Sequence, residues 1–146
     1  MLAKVFSGVT IGLDGVLIEV EVDVAQRGLP TFIIVGLPSK SIDESKDRVR
    51  TAIINSSFDI PESKVTINLA PADLPKEGSS FDLPIAVGIL TASGAISKEL
   101  LSESLFIGEL SLEGIVREVN GIISIAVMAK KKKLKNIFVP SKNSLE

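Results

Sequence analysis

Residues 74–90, LPKEGSSFDLPIAVGIL, set two serines, Ser79 and Ser80, after a Lys-Glu-Gly turn and at the head of an apolar run. A serine there has three uses: nucleophile, anion-binding cap, or simple helix start. Pro84 limits the choice of geometry, because its ring and missing N–H are tolerated only in a first helical turn. The helix therefore begins between Ser80 and Asp82, and one of these two is expected to be its N-cap, a role worth about 1 kcal/mol. The nucleophilic use needs the same position. A hydroxyl at a helix N-terminus sits in a positive field beside free N–H groups, which would serve as an oxyanion site.

Composition limits the partners such a serine can have. His, Cys, Tyr and Trp are absent, and six Phe are the only aromatics. That excludes His-based triads, thiolate chemistry and disulfides, and no metal site is expected. Carboxylates, Lys and Ser remain for acid–base work. No G-x-x-x-x-G-K-[ST] occurs, so no phosphate-cradling loop is expected, and Gly8, Gly12 and Gly15 lack the strand–helix context of a dinucleotide site. The net charge is −2, so nucleic acid can be drawn only by local patches. Two such patches stand out: the run Lys130, Lys131, Lys132, Lys133 with Lys135, and Lys46, Arg48 and Arg50 in a predicted helix. Lysines at a helix C-terminus also offset the helix dipole and solubilise the chain. No aromatics interleave with them, so the DNA reading extends only to non-specific backbone contact. No apolar stretch approaches the roughly 20 residues of a membrane span, and the N-terminus lacks a signal-peptide pattern. With no Cys, a cytoplasmic location is expected.

The elements that must position these residues follow from periodicity. VLIEVEVDV (16–24) alternates apolar and acidic residues, as a strand with one wet face does. KVFSGVTIG before it is its expected antiparallel partner through an Asp14-Gly15 turn. TFIIVG (31–36) is apolar throughout and reads as a central strand covered on both faces. Ser41 and Glu44 form an S-x-x-E capping box for a helix to about Asn55, with Ile42, Val49, Ala52 and Ile53 inward. KVTINLA (64–70) is a strand. The helix after Ser80 is apolar all round and should be the most buried. LFIGEL and GIVREV form a hairpin turning at Glu113-Gly114, a helix runs from about Asn120 into the lysines, and NIFVP (136–140) is a last buried strand. The order ββ-β-α-β-α-ββ-α-β predicts one α/β (α+β) domain over 1–146 with a mixed sheet.

The runs NLAPADLPKEGSSFDLPIAVGIL (68–90), GLPTFIIVGLPSKSIDESKDRVRTAI (28–53), IGELSLEGIVREVNGI (107–122) and IFVPSKN (137–143) together resemble the N-terminal domain of bacterial magnesium-chelatase-like AAA+ ATPases of the YifB/ComM type. The resemblance implies a Lon-protease-like fold: a mixed sheet with helices on one side and a left-handed βαβ crossover. It also implies that a C-terminal AAA+ module, binding ATP and Mg2+, follows in a longer protein. That protein would be a homo-oligomeric ring, and ComM-type members are DNA branch-migration helicases in competence. Pro75, Lys76, Gly78, Ser79, Ser80, Asp82 and Pro84 form the family motif, and Ser80 stands at the nucleophile position of Lon-type peptidases. Lon's partner lysine follows a Gly-Gly-Leu element, read here as Asn120-Gly121-Ile122-Ile123, so Ile123 occupies the lysine position. Lys130 lies about two helical turns on, roughly 10 Å by helix rise, too far to substitute. A serine without a base stays protonated and weak. The resemblance thus favours a non-catalytic domain; the alternatives are a serine peptidase acting through Ser80, or an accessory subunit of magnesium chelatase.

Overall fold

The structure, a computed structural model, describes residues 1–146. Strands β1 (Leu2–Ile11) and β2 (Asp14–Val24) form a long antiparallel hairpin, Ile11 opposite Asp14. The turn is therefore Gly12-Leu13 rather than Asp14-Gly15, with Gly12 in the left-handed region (φ 62) that such turns require. Strand β3 (Thr31–Val35), helix α1 (Lys40–Asp43), helix α2 (Ser45–Asn55) and strand β4 (Lys64–Ala70) come next, and then helix α3 (Asp82–Ala92). A 3-10 turn over Lys98–Glu103 leads into β5 (Ser104–Phe106), the small hairpin β6 (Glu109–Leu110) and β7 (Val116–Arg117), helix α4 (Ile122–Lys131) and β8 (Asn136–Phe138).

Six strands form one sheet in the order β3-β4-β2-β1-β5-β8, and β2 alone runs against the others. Alternation sorts the side chains into two layers. Val5, Ile18, Val20, Val22, Ile67 and Leu69 pack with α2 and α3 in the main core. Leu105, Ile107 and Leu17 pack with α4 in a second, smaller core on the opposite face. Helices therefore cover both faces, not one as the family resemblance implies.

The handedness of the crossovers follows from this layering. The chain steps from β3 to its parallel neighbour β4 through α2, and from β5 to its parallel neighbour β8 through α4. Both steps go the same way across the sheet, but their helices lie on opposite faces. The two crossovers must then have opposite hands, and one of them is left-handed, against the strong general preference.

Helix α3 is the most buried, with ten of its eleven residues inaccessible. It crosses the sheet so closely that a Cβ on Gly88 would lie 2.4 Å from a Val22 methyl. TFIIVG, expected as a central strand, and NIFVP, expected as a last buried strand, instead lie at the sheet edges. β3 leaves Ile33 and Val35 exposed, and all of β8 is exposed. A short apolar run does not tell a covered strand from an edge strand, and α4 packs on β1 and β2. The hairpin β6/β7 forms as expected, but Leu105 and Phe106 leave it for the main sheet, where Phe106 stacks on Phe138 with ring centroids 4.6 Å apart.

Candidate functional site

The motif residues meet at one end of the sheet around a cleft of about 980 Å³. Pro75, Lys76, Gly78, Ser79 and Ser80 form one wall, Pro38 and Ser39 a second, and Glu109, Glu118 and Asn120 a third. Ser80 lies just before α3, whose cap position is held by Phe81 with no side-chain bond. Neither Ser80 nor Asp82 caps the helix. Asp82 is already in the first turn and fully buried, and a tertiary network has captured its carboxylate.

That network is the main polar feature of the interior. Arg48 reaches from α2 with Nε 2.8 Å from Asp82 Oδ2 and one terminal nitrogen 3.1 Å from Oδ1, a two-pronged ion pair. Ser45 Oγ donates to Oδ1 at 2.5 Å, and the Leu110 N–H donates to Oδ2 at 3.1 Å. Asp82 therefore ties α2, α3 and β6 together. The pair raises the Arg48 pKa above its ordinary value, the hydrogen bonds to Asp82 outweighing desolvation.

Lys76 serves a similar end beside the cleft. Its side chain is 2% exposed, and its ammonium donates to the carbonyls of Gly36, at 2.8 Å, and Pro71. Its backbone bridges the Pro38 loop, with Ser39 N–H to Lys76 O at 2.9 Å and Lys76 N–H to Leu37 O at 3.2 Å. Burial pushes its pKa below the ordinary lysine value, Asp73 partly opposing. Gly36 has φ 101, and a Cβ there would fall 2.3 Å from Leu69 O, so glycine is required where the loop folds over the sheet.

The neighbouring side chains complete the wall. Ser39, not Ser41, caps α1, its Oγ accepting from Ile42 N–H at 3.4 Å. The expected capping box does not form because Ser41 Oγ accepts from the Gly78 N–H at 3.0 Å and the helix breaks at Glu44. Gly78 itself sits at φ 92. Ser79 Oγ donates to Glu109, which also lies 3.6 Å from Arg117. Pro84 is buried in the first turn of α3. Lys76 is the single cation lining the cleft. Ile123 lies in a different groove, 59% exposed. No cluster of His, Cys, Asp and Glu is arranged to hold a metal.

The cations proposed for DNA separate into engaged and free groups. Arg48 is held by Asp82, Lys46 pairs with Asp43 at 2.6 Å, and Lys135 pairs with Glu103 at 2.6 Å. Arg48 is therefore no part of an outer cationic face. Arg50 and Lys130 to Lys133 are exposed and make no ion pair within the chain. The sheet separates Arg50 on α2 from the lysines on α4, so they do not form one patch. The Asp82–Arg48 pair and the Ser79–Glu109 bond were not expected from sequence. The available signal was an ionised residue in the first turn of an otherwise apolar helix, a position that demands a buried partner.

Comparison with known proteins places this architecture. The family model described as subunit ChlI of Mg-chelatase matches residues 20–143. The competence protein ComM of Haemophilus influenzae is 43% identical over 145 residues, 99% of this chain and 28% of the relative. Protein YifB of Escherichia coli is 48% identical over 130 residues, 89% of this chain and 26% of the relative. A weaker likeness, 27% over 145 residues, reaches Lon protease 2 of Bacillus subtilis, covering 89% of this chain and 26% of that protein. The chain thus spans little more than a quarter of the length of these relatives. No helix is long and apolar enough to cross a membrane.

Proposed function

The chain belongs to the family of subunit ChlI of Mg-chelatase, as the N-terminal region of ComM- and YifB-like proteins, and from that premise we propose that it is a non-catalytic structural domain of a cytoplasmic AAA+ ATPase that guides DNA. ATP and Mg2+ act in a C-terminal module outside this chain, and the full protein assembles as a homo-oligomeric ring that drives branch migration. The observation that carries the non-catalytic reading is the fate of the motif. Lys76 and Asp82 are buried and engaged by the chain's own groups, Ser79 is bonded to Glu109, and Ile123 is turned away from Ser80's cleft. A motif that elsewhere frames a nucleophile here staples three segments together. The likeness to a Lon protease keeps the peptidase reading as the second one, and it requires a base within about 3 Å of Ser80 Oγ. A chelatase accessory role rests on the family description alone.

DNA contact falls to Lys130, Lys131, Lys132 and Lys133 at the end of α4. A patch neutralising three or four phosphates gives a log–log salt slope of about −3 and a Kd in the non-specific range, roughly 10⁻⁴–10⁻⁶ M. A ring holds DNA more firmly, because each bound subunit raises the effective concentration of the next. The test is a salt titration of duplex binding with the unaltered chain and with K131A/K132A/K133A, which should flatten the slope. Tight binding indifferent to both salt and these substitutions would remove the lysine patch as the contact.

A further inference from the structure

The second groove of the molecule lies between the tip of the β1–β2 hairpin and α4, encloses about 350 Å³, and is lined by Leu13, Asp14, Ile123, Val127, Lys131 and Lys132 among others. Its apolar lining is unusual. Tight hairpin turns favour Gly, Asn and Asp for their backbone freedom, yet here Gly12 is followed by Leu13, which is 92% exposed. On α4, Ile122, Ile125, Met128 and Ala129 already face the inner core. Ile123 and Val127, 59% and 50% exposed, make a second apolar stripe facing outward. Lys131 continues that stripe at the same four-residue spacing, so the face runs from apolar to cationic along one helix.

The groove is rigidly built. Gly15 brings the hairpin so close to α4 that a Cβ there would lie 2.4 Å from Ser124 O. The hairpin tip and the helix therefore hold a fixed separation, and Leu13 forms one bank with Ile123 and Val127 opposite. Ile123 is also the residue at the position that the peptidase likeness assigns to a lysine. An exposed isoleucine there supplies no proton transfer, but it supplies contact area.

We propose that this groove is a docking site for an amphipathic helix of a protein partner, with two or three aliphatic anchors between Leu13, Ile123 and Val127 and acidic residues over Lys131 and Lys132. The identity of the occupant follows from charge and shape. Helix-in-groove recognition seats the bound helix's own anchors, three and four residues apart, between apolar banks, and here Leu13 stands across the groove from Ile123 and Val127. The free lysines at one end, unpaired within the chain, complement carboxylates and fix the direction of the bound helix. A nucleic acid would use the same lysines but gain nothing from Leu13, Ile123 and Val127, which separates this proposal from the DNA contact above.

The probe is a fluorescein-labelled, side-chain-stapled synthetic helix with leucines at i, i+4 and i+7 and glutamates beyond its last leucine. Its binding is followed by anisotropy against the unaltered chain, Leu13→Ser, Ile123→Ser, and K131E/K132E, with thermal unfolding confirming that each variant is folded. We expect at least tenfold weaker binding with each variant, and tenfold weaker binding when the probe's glutamates are replaced by lysines. Duplex DNA should be weakened by K131E/K132E and left unchanged by the two serine substitutions. The proposal is overturned if the probe does not bind at its solubility limit, or if Leu13→Ser and Ile123→Ser leave its affinity unchanged. Loss of DNA affinity with the serine variants equal to the loss of probe affinity would overturn it in favour of a nucleic-acid surface.

Discussion

Replacing Asp82 by Asn removes the charge of a fully buried carboxylate while keeping its shape, so no cavity contributes to the effect. Four donor contacts converge on that carboxylate: two from Arg48, one from Ser45 and one from the Leu110 N–H. Without the charge, the Arg48 guanidinium, 23% exposed, remains largely desolvated and keeps only the exposed Glu44, 4.0 Å away, as a counter-ion. Breaking a buried pair on one side costs about 3–5 kcal/mol, whereas removing both members costs much less. For a chain of this size each kcal/mol moves the midpoint by roughly 2–4 °C. D82N should therefore unfold roughly 6–20 °C lower, and Arg48→Met should fall in the same range, because it strands Asp82 instead. The double variant should lose less than either single variant, giving a coupling of about 3 kcal/mol or more. Denaturant unfolding of the four proteins measures this cycle. Single losses below about 1 kcal/mol, or full additivity, would refute the view that this pair clamps α2, α3 and β6.

Lys76 provides a test against pH. Burial lowers its pKa from the ordinary 10.5, so between the lowered value and 10.5 the unfolded chain binds more protons than the folded one. Stability linked to this group then rises with pH across that window and is smallest below it, where the charge must be buried. Lys76→Met should remove this rise, and identical pH slopes of unfolding free energy for the two proteins would show that the ammonium is not desolvated. A serine-reactive phosphonate should leave the chain unlabelled, since Lys76 Nζ is engaged by the carbonyls of Gly36 and Pro71. Mass-spectrometric detection of a label that Ser80→Ala abolishes would establish an activated nucleophile.

Much of the architecture was decided by local pattern. Alternation over Val16–Val24 set β2 with its inward Ile18, Val20 and Val22, and all-round apolarity set α3 as the central helix. Pro84 set the start of α3 to within a residue or two. These are properties of single elements, readable because side-chain period and burial are linked. The absence of His and Cys likewise excluded whole classes of chemistry before any fold was known.

Tertiary structure decided what depends on residues far apart in the chain. TFIIV and NIF have the composition of buried strands, yet no second layer covers them, so both lie at sheet edges. Ser41 has a capping-box sequence, but Gly78 offers it a competing N–H and the cap falls to Ser39. Arg48 sits among surface charges in sequence, but Asp82, 34 residues later, withdraws it into a buried pair. The family motif was legible as a string, whereas its roles were not. A lysine, an aspartate and a serine suggest chemistry until folding shows which groups have already taken their hydrogen bonds. Burial without a partner is too costly for Lys76 or Asp82 to remain free, so the partners that the fold brings together decide whether such residues react or hold.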